Sequence, residues 1–371
     1  MSIRTFKPSL ALIAVFGCLA VFAQNSVESE LKKAVRLQPD SFEANYNLAE
    51  FYFHAGKLQQ GIPYMEKARA IEPGDYVSGY DLALAYFETR DYSKARRQIQ
   101  ALLKQRDSAD LHSLLADVEE ATANYIPAAE EYQKAARMDP SEERIFDWGS
   151  ELLVHRAWQP ASEVFKRGIE LHPKSAKLNL GLGIALYYMN DHEAGIEQLC
   201  LATDLAPSET WPYVFLGKLY NVAGVNIDEV RKRFARFVQL DPKNAQAYYY
   251  YAMSLWDRAD PRTDTARVES LLKKAVALDN SFADAHLQLG ILYEDETRYS
   301  EAVTQFQQAI AVQPNLTTAH YHLVQTYKRT GNRSKADEEL RTFEKLHEKD
   351  QMESEKERNE VMQFIVNMKG Q

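Results

Sequence analysis

Cysteine is nearly absent from this chain of 371 residues, which contains only Cys18 and Cys200. If Cys18 is removed with a leader peptide, Cys200 has no partner, so an internal disulfide is excluded even in an oxidising compartment. We interpret Cys200 as a small apolar core residue rather than a reactive thiol. The fold must therefore be stabilised by packing.

An excess of basic residues is also missing. Lysine and arginine number 44 against 53 aspartates and glutamates, which gives a net charge of -9. A surface of that sign repels phosphate backbones and anionic lipid headgroups, so nucleic acids and membrane surfaces are poor partners. Hydrophobic residues make up 45% of the chain, enough to bury apolar faces and fold.

Long apolar runs are confined to the first residues. Arg4 and Lys7 precede the apolar run 10–22, and Ala23 is small enough to precede a cleavage site before Gln24. This pattern predicts a signal peptide over residues 1–23, and hence a periplasmic or secreted protein with no transmembrane span in the mature chain. The alternative is a lipid anchor, because residues 15–18 loosely resemble a lipoprotein cleavage box ending at Cys18, although Phe16 is bulky for its place.

Motifs for catalysis are missing as well. The chain has no glycine-rich phosphate loop, no Gly-x-Ser-x-Gly and no His-Glu-x-x-His, and the glycines at 181–183 fit a packing role. His320 and His322 are two residues apart, so on a helix they point to different faces and do not chelate one ion. We therefore predict no enzymatic activity, no cofactor and no metal.

Prolines recur at a fixed interval. Pro39 and Pro73 are 34 residues apart, as are Pro173 and Pro207, and Pro140 precedes Pro173 by 33. Because the residue before proline is disfavoured in the α region, each proline ends a helix. The period predicts an internal repeat of about 34 residues.

Each interval carries the pattern of two amphipathic helices. The first such unit has small and large apolar residues at helical spacing on both sides of a break at Gly56: Leu48, Ala49, Tyr52, then Gly61, Met65, Ala68. The set recurs eight more times. A small residue lets the partner helix approach, and a large one fills the space beside it. Since one hairpin cannot bury its own face, stacking of neighbours is expected.

Repeat length, the small residue after leucine and the closing proline together resemble the tetratricopeptide repeat family over about residues 26–348. The resemblance implies an all-α, right-handed superhelical solenoid of antiparallel helix pairs. We predict nine full repeats over residues 24–348, preceded by a lone second helix at 27–37. Residues 349–371 are predicted to form a charged capping helix. Two departures are notable: Glu119 replaces an aromatic residue or leucine, and about four extra residues are inserted at 260–263.

In this family the first helices line a concave surface that binds extended peptides or partner helices, and the resemblance implies the same here. On the outward face of the first helices, the middle repeats offer these candidate partner-binding residues: Tyr187, Tyr188, Trp211, Phe215, Tyr249, Tyr250, Met253, Trp256. Trp211 with Phe215, and Tyr249 with Met253 and Trp256, follow helical spacing and are predicted to form stripes along first helices. The N-terminal repeats offer acids, which favour basic segments: Glu43, Glu50, Asp81, Glu88, Asp110, Asp117, Glu120, Asp147.

Two functional hypotheses remain at this point. The first is an interaction scaffold that binds protein or peptide segments, and the second is a lipid-anchored subunit of an outer-membrane assembly or export complex. Family members that capture acidic chaperone tails use lysine, asparagine and arginine across successive first helices. Asn47 fits one place, but Tyr46, Glu50 and Asp81 stand where cations are needed, which argues against that function.

Overall fold

The computed structural model describes residues 17–220, 227–258, 260 and 262–369, with side chains for 26–220, 227–258, 260 and 262–352. The chain divides into two compact units, Met1–Met138 (unit 1) and Asp139–Gln371 (unit 2). All regular structure in the described ranges is helical, as predicted. No helix in these ranges is both long and apolar enough to cross a membrane.

Unit 1 contains seven helices in its described part. They are α1 (Gly17–Leu37), α2 (Phe42–His54), α3 (Leu58–Ile71), α4 (Tyr76–Glu88), α5 (Tyr92–Leu103), α6 (Ala109–Ala121) and α7 (Tyr125–Met138). Three helix pairs, α2/α3, α4/α5 and α6/α7, follow the lone helix α1, which packs on α2. Most of the predicted leader, residues 1–16, lies outside the described residues, and so does the side chain of Cys18.

Unit 2 contains twelve helices in its described part. They are α8 (Glu142–Val154), α9 (Trp158–Leu171), α10 (Ala176–Tyr188), α11 (His192–Leu205), α12 (Thr210–Leu219), α13 (Ile227–Leu240), α14 (Ala245–Leu255), α15 (Thr265–Leu278), α16 (Ala283–Asp295), α17 (Tyr299–Val312), α18 (Thr317–Arg329) and α19 (Arg333–Lys369). They form six pairs. The two units together therefore hold the nine predicted repeats, each with a first and a second helix.

Several closing prolines are followed by a side-chain helix cap that starts the next repeat. Two residues after Pro39, the Ser41 hydroxyl accepts a hydrogen bond from the Ala44 amide at 3.2 Å. Two residues after Pro73, the Asp75 carboxylate accepts one from the Ser78 amide at 2.7 Å. Such caps satisfy amides that have no partner within the helix. These prolines thus end a second helix, and the caps just beyond them begin a first helix; Ser175 and Asn244 cap α10 and α14 in the same way.

The turn between the two helices of a repeat uses a left-handed residue. Gly56 has φ 70°, and the corresponding position is held by non-glycine residues in most other repeats: Arg90 (63°), Ala123 (60°), Arg156 (56°), Asn190 (67°) and Thr297 (61°). The next amide then bonds back to the first helix, as Lys57 does to the Tyr52 carbonyl at 2.8 Å. This bond closes the helix end and offsets the strain of the left-handed backbone.

In five of the described repeats, a polar side chain six residues after the closing turn bonds back to the carbonyl of that turn. The atoms that donate to the turn carbonyl come from different residue types: Asn45 to Pro39 (2.9 Å), Tyr213 to Pro207 (3.1 Å), Tyr248 to Pro242 (3.2 Å), His286 to Asn280 (3.1 Å) and His320 to Pro314 (3.1 Å). We call these the turn-holding residues. They satisfy carbonyls that the end of the second helix leaves without a partner.

Successive repeats are also joined by polar ties. The Tyr52 hydroxyl donates to Glu28 at 3.0 Å, and the Tyr293 hydroxyl donates to Glu269 at 3.1 Å. Glu119 occupies the corresponding position in its repeat and accepts from the Arg96 guanidinium at 2.6 Å and 2.8 Å. At Glu119, an ion pair with Arg96 therefore joins successive repeats where a tyrosine–glutamate hydrogen bond joins them elsewhere.

The last helix differs from its prediction. α19 runs unbroken from Arg333 to Lys369, so the boundary predicted at 349 falls inside one helix. The ring centroids of Phe343 and Tyr321 are 5.7 Å apart, and the Thr317 hydroxyl donates to the Asp350 carboxylate at 2.7 Å. The second helix of the ninth repeat therefore continues into the charged segment without a stop, because the sequence after Phe343 contains no glycine or proline before residue 370.

Candidate interaction surfaces on the first helices

Four of the eight predicted partner-binding residues lie together in unit 2. Tyr187, Trp211, Tyr249 and Met253 are partly buried and pack against one core cluster that includes Leu199. They come from three successive first helices, α10, α12 and α14. We call these residues, with Tyr188 and Phe215, the aromatic face of unit 2.

Tyr188 and Phe215 are the exposed members of the aromatic face. Tyr188 is 50% exposed and stacks on Trp158 with ring centroids 4.5 Å apart and planes 14° apart. Phe215 is 37% exposed and lies 6.0 Å from the Lys218 ammonium. Tyr188 is thus held in a fixed orientation by its neighbour, which lowers the entropy that a contact with a partner costs.

Tyr249 and Tyr250 differ in their surroundings. The ring centroids of Tyr249 and Phe282 are 4.9 Å apart. Burial, the larger effect, and the negative charge of Asp284 raise the pKa of the Tyr249 hydroxyl. Tyr250 is buried, stacks on Phe234 at 5.7 Å and covers Gly217, where an added Cβ would be 2.4 Å from the ring. Burial raises the pKa of Tyr250 to about 12. Tyr250 is therefore a core residue, which corrects its assignment to the exposed face.

Trp256 does not extend the predicted helical stripe. α14 ends at Leu255, and Trp256 caps it with an extended backbone (φ -91°, ψ 99°). Its indole is partly buried against the next core cluster, around Val268 and Leu272, with the Arg258 guanidinium 6.0 Å from the ring. The inserted residues follow soon after this end, and the Thr263 hydroxyl donates to the Asp257 carbonyl at 2.8 Å.

The first helices of unit 1 present a different surface. The Tyr46 hydroxyl donates to Asp81 on the next first helix at 3.3 Å, and Glu50 lies one turn beyond Tyr46. Burial, followed by the charge of Glu50, raises the pKa of Asp81 to about 6. Burial also raises the pKa of Glu50, although His54 opposes it from 3.4 Å. These carboxyl groups are held partly out of water on one side of the repeat stack.

The histidines near the C-terminus have separate structural partners. The two ring nitrogens of His320 contact Glu339 at 2.7 Å and the Pro314 carbonyl at 3.1 Å. His322 instead bonds Glu294 at 2.7 Å and stacks on Phe306 at 5.3 Å. The two rings therefore belong to different contacts, as their spacing predicts.

Cys200 is buried on α11, in agreement with its interpretation as a core residue. Burial, the largest effect, raises the pKa of its thiol to about 11. A thiol with so high a pKa carries little thiolate at neutral pH, and the thiolate is the reactive form.

Comparison with known proteins identifies the family. Tetratricopeptide repeat matches cover residues 30–62, 53–118 and 283–316, which correspond to repeats described in both units. The chain is a tetratricopeptide repeat protein. Repeat proteins of this family are generally interaction scaffolds without catalytic activity.

Individual relatives of this tetratricopeptide repeat protein are distant. Superkiller protein 3 of Schizosaccharomyces pombe is 22% identical over 325 residues, or 81% of the chain and 23% of that protein. The repeat-containing protein YpiA of Bacillus subtilis is 22% identical over 70% of the chain and 53% of its own length. The chain thus spans a quarter to about half of these relatives. Yeast Tom70 matches in structure with a TM-score of 0.50 at 14% identity, over 95% of this chain and 87% of that one, which supports the fold alone.

Proposed function

We propose that this tetratricopeptide repeat protein is a scaffold that binds protein or peptide segments along its first helices. The observation that carries the proposal is the aromatic face of unit 2. Tyr187, Trp211 and Tyr249, from three successive first helices, rest on one core cluster, and Tyr188 and Phe215 on two of the same helices are exposed. Aromatic side chains anchored in this way supply large contact area at low entropic cost and dominate many interfaces. The acidic first helices of unit 1 favour basic segments by charge.

The test uses peptides selected by phage display on the immobilised full chain. Tyr188→Ala combined with Phe215→Ala removes the two exposed rings, and should weaken the selected peptides at least tenfold, since an anchoring ring contributes about 2 kcal/mol. The matched control is Leu201→Ala with Val312→Ala, two residues of 41% and 39% exposure on second helices. The control should change the dissociation constant less than about twofold.

Equal weakening by the two pairs would place binding on the second helices and overturn the proposal. Circular dichroism of both variants checks that the fold is intact. Trp211 and Trp256 are less suitable targets, because both indoles pack against core clusters and their truncation is expected to lower stability as well as binding.

We further propose that the scaffold acts outside the cytoplasm, after export directed by residues 1–23. The support is the pattern of Arg4 and Lys7 before the apolar run 10–22. Mass spectrometry of the mature chain should find Gln24 as the first residue. An acylated Cys18 at the N-terminus would instead support the lipid-anchored subunit, and retention of Met1 would contradict both.

A further inference from the structure

Charge is segregated between the two helix layers of unit 1. The first helices α2, α4 and α6 contain no lysine or arginine, and their acidic residues are Glu43, Glu50, Asp81, Glu88, Asp110, Asp117, Glu119 and Glu120. The basic residues are on the second helices: Lys67, Arg69, Lys94, Arg96, Arg97, Lys134 and Arg137. A negative field is therefore concentrated on the first-helix side, where it attracts cations and raises their encounter rate.

Asp81 stands out among these acids. Among the described residues, its hydrogen-bond donor is the neutral hydroxyl of Tyr46 at 3.3 Å, and it has no ion pair with lysine or arginine. Within the same described ranges, the ion pair of its neighbour Glu50 is with the histidine His54, at 3.4 Å. Burial and the repulsion from Glu50 raise the pKa of Asp81 to about 6, which shows that its charged form is poorly compensated. A cation placed beside it relieves both costs.

Aromatic and apolar residues lie on the same helices as these acids, and Tyr46 contacts Asp81 directly. Tyr46 and Tyr80 are partly buried rings packed against the core of unit 1, stacked on Phe42 at 5.5 Å and on Tyr76 at 6.4 Å. Val77, on the same helix as Asp81, is 54% exposed. A guanidinium is planar, stacks on rings and is more weakly hydrated than an ammonium. This combination of ring and half-buried carboxylate therefore favours arginine over lysine.

Resting on the proposed scaffold function, we infer that the first-helix side of unit 1 docks an arginine-containing basic segment of a partner protein. The anchor is one arginine side chain held by Asp81 and Glu50 beside Tyr46. The remaining acids of α2 and α4 supply attraction along the segment. Charge complementarity selects this occupant, because an acidic or uncharged segment would leave the carboxylates desolvated without a counter-charge.

The test measures fluorescence anisotropy with three labelled twelve-residue probes of identical length. Arginine, lysine or uncharged citrulline alternates with alanine in these probes. We expect the arginine probe to bind the full chain most tightly, the lysine probe several-fold less and the citrulline probe hardly at all. Affinity should fall steeply between about 50 mM and about 300 mM salt, because partly exposed charges are screened over this range.

The double substitution Glu50→Gln with Asp81→Asn should raise the dissociation constant of the arginine probe about tenfold, which corresponds to about 1.4 kcal/mol of binding free energy. The control pair, Glu72→Gln with Glu130→Gln, removes the same charge from exposed residues at the end of α3 and on α7, and should weaken it less than about twofold. Equal losses in the two pairs would mean that net charge alone binds the probe. Displacement of the probe by submillimolar Ca²⁺ would indicate a divalent cation site. Either result overturns the inference.

Failure of the inference is distinguishable from failure of the proposed function. If the arginine probe does not bind while phage-selected peptides still depend on Tyr188 and Phe215, only the assignment of unit 1 is wrong. If neither peptide class binds the first helices, both proposals fail. Thermal melting of the Glu50→Gln/Asp81→Asn variant serves as the folding control, and its midpoint is expected to be no lower than that of the parent chain, because both substitutions remove desolvated charge.

Discussion

Some repeats of unit 2 build the same helix pair as unit 1 with different residue sizes. Unit 1 places alanine on its first helices at positions 49, 83 and 116, and its second helices supply Met65 and Ile99. Unit 2 uses Gly149 and Gly290, and there Phe165 and Phe306 fill the space, with an added Cβ on either glycine only about 2.5 Å from the ring. The volume between the two helices is therefore divided differently between small and large residues in these repeats.

The outward sides of the first helices differ more than the cores do. In unit 1 this side is acidic, and in unit 2 the helices α10, α12 and α14 contain no acidic residue and carry the aromatic face. Core positions are constrained by both neighbours, whereas outward positions are not. One scaffold can therefore present two chemically distinct surfaces without any change in its repeat.

The largest expected effect comes from breaking the packing of unit 2. Phe165→Ala removes a fully buried ring that lies against both Gly149 and Gly181, where an added Cβ would be 2.4 Å from the ring. With glycines on both sides the space cannot refill, so we expect a loss of about 4 kcal/mol in the free energy of unfolding. The counterpart in unit 1, Ile99→Ala, should cost about 3 kcal/mol. Urea denaturation measures both, and the reverse order would contradict the comparison.

A smaller effect is expected when a glycine on a first helix of unit 2 is replaced by alanine, the residue that unit 1 has at the corresponding position. Gly217→Ala pushes a methyl group into the Tyr250 ring and should cost about 2 kcal/mol despite the better helix propensity of alanine. In the background of Tyr250→Ala this cost should disappear, which a double-mutant cycle would show. Gly74→Ala has nothing within 4 Å of the new methyl group and should be nearly neutral. A cost that persists without the Tyr250 ring would contradict this account.

The smallest effect concerns the acids of unit 1 and depends on pH. The folded pKa of Asp81, about 6, lies above its ordinary value of 3.8, so the folded state holds this proton more tightly than the unfolded state does. The group therefore favours folding below about pH 4, and this advantage is lost as pH rises through about 6. The charges that act on it are Glu50, Asp75 and His54, with Tyr46 as hydrogen-bond donor.

Asp81→Asn should consequently raise the melting temperature by about 2 °C at pH 8 and have little effect near pH 4. Scanning fluorimetry at the two pH values measures the difference. The control Asp40→Asn changes an exposed aspartate paired with Lys67 at 2.8 Å and should show no such gain. A uniform shift of the Asp81→Asn variant at both pH values would mean that packing, rather than ionisation, is responsible.

Sequence periodicity was sufficient to predict the nine helix pairs, because small residues, and in most repeats a closing proline, recur at nearly the same interval. It was insufficient at residues 248–251, where four tyrosines follow one another and no period indicates which one enters the core. Gly217 decides the matter, since it leaves room only for the ring of Tyr250. That contact joins two repeats and is invisible within either one.

The end of α14 was likewise beyond prediction. The insertion at 260–263 was recognised from its length, but its path depends on side-chain bonds such as that from Thr263 to the Asp257 carbonyl. The turn-holding residues were also missed, because asparagine, tyrosine and histidine share no type. Their constant spacing of six residues from the closing turn is a signal that could have found them.

The ties between repeats have a mechanical consequence. Tyr46 reaches Asp81, 35 residues away, and Arg258 reaches Asp295, 37 residues away, so each of these bonds spans about one repeat. When such a unit is pulled from its two ends, the repeats bear the load in series, like links of a chain, and every link feels the same force. The least stable repeat unfolds first, which lengthens the unit and lowers the force on the other repeats. Each unit should therefore behave as an extensible spring that yields one repeat at a time and recoils when released.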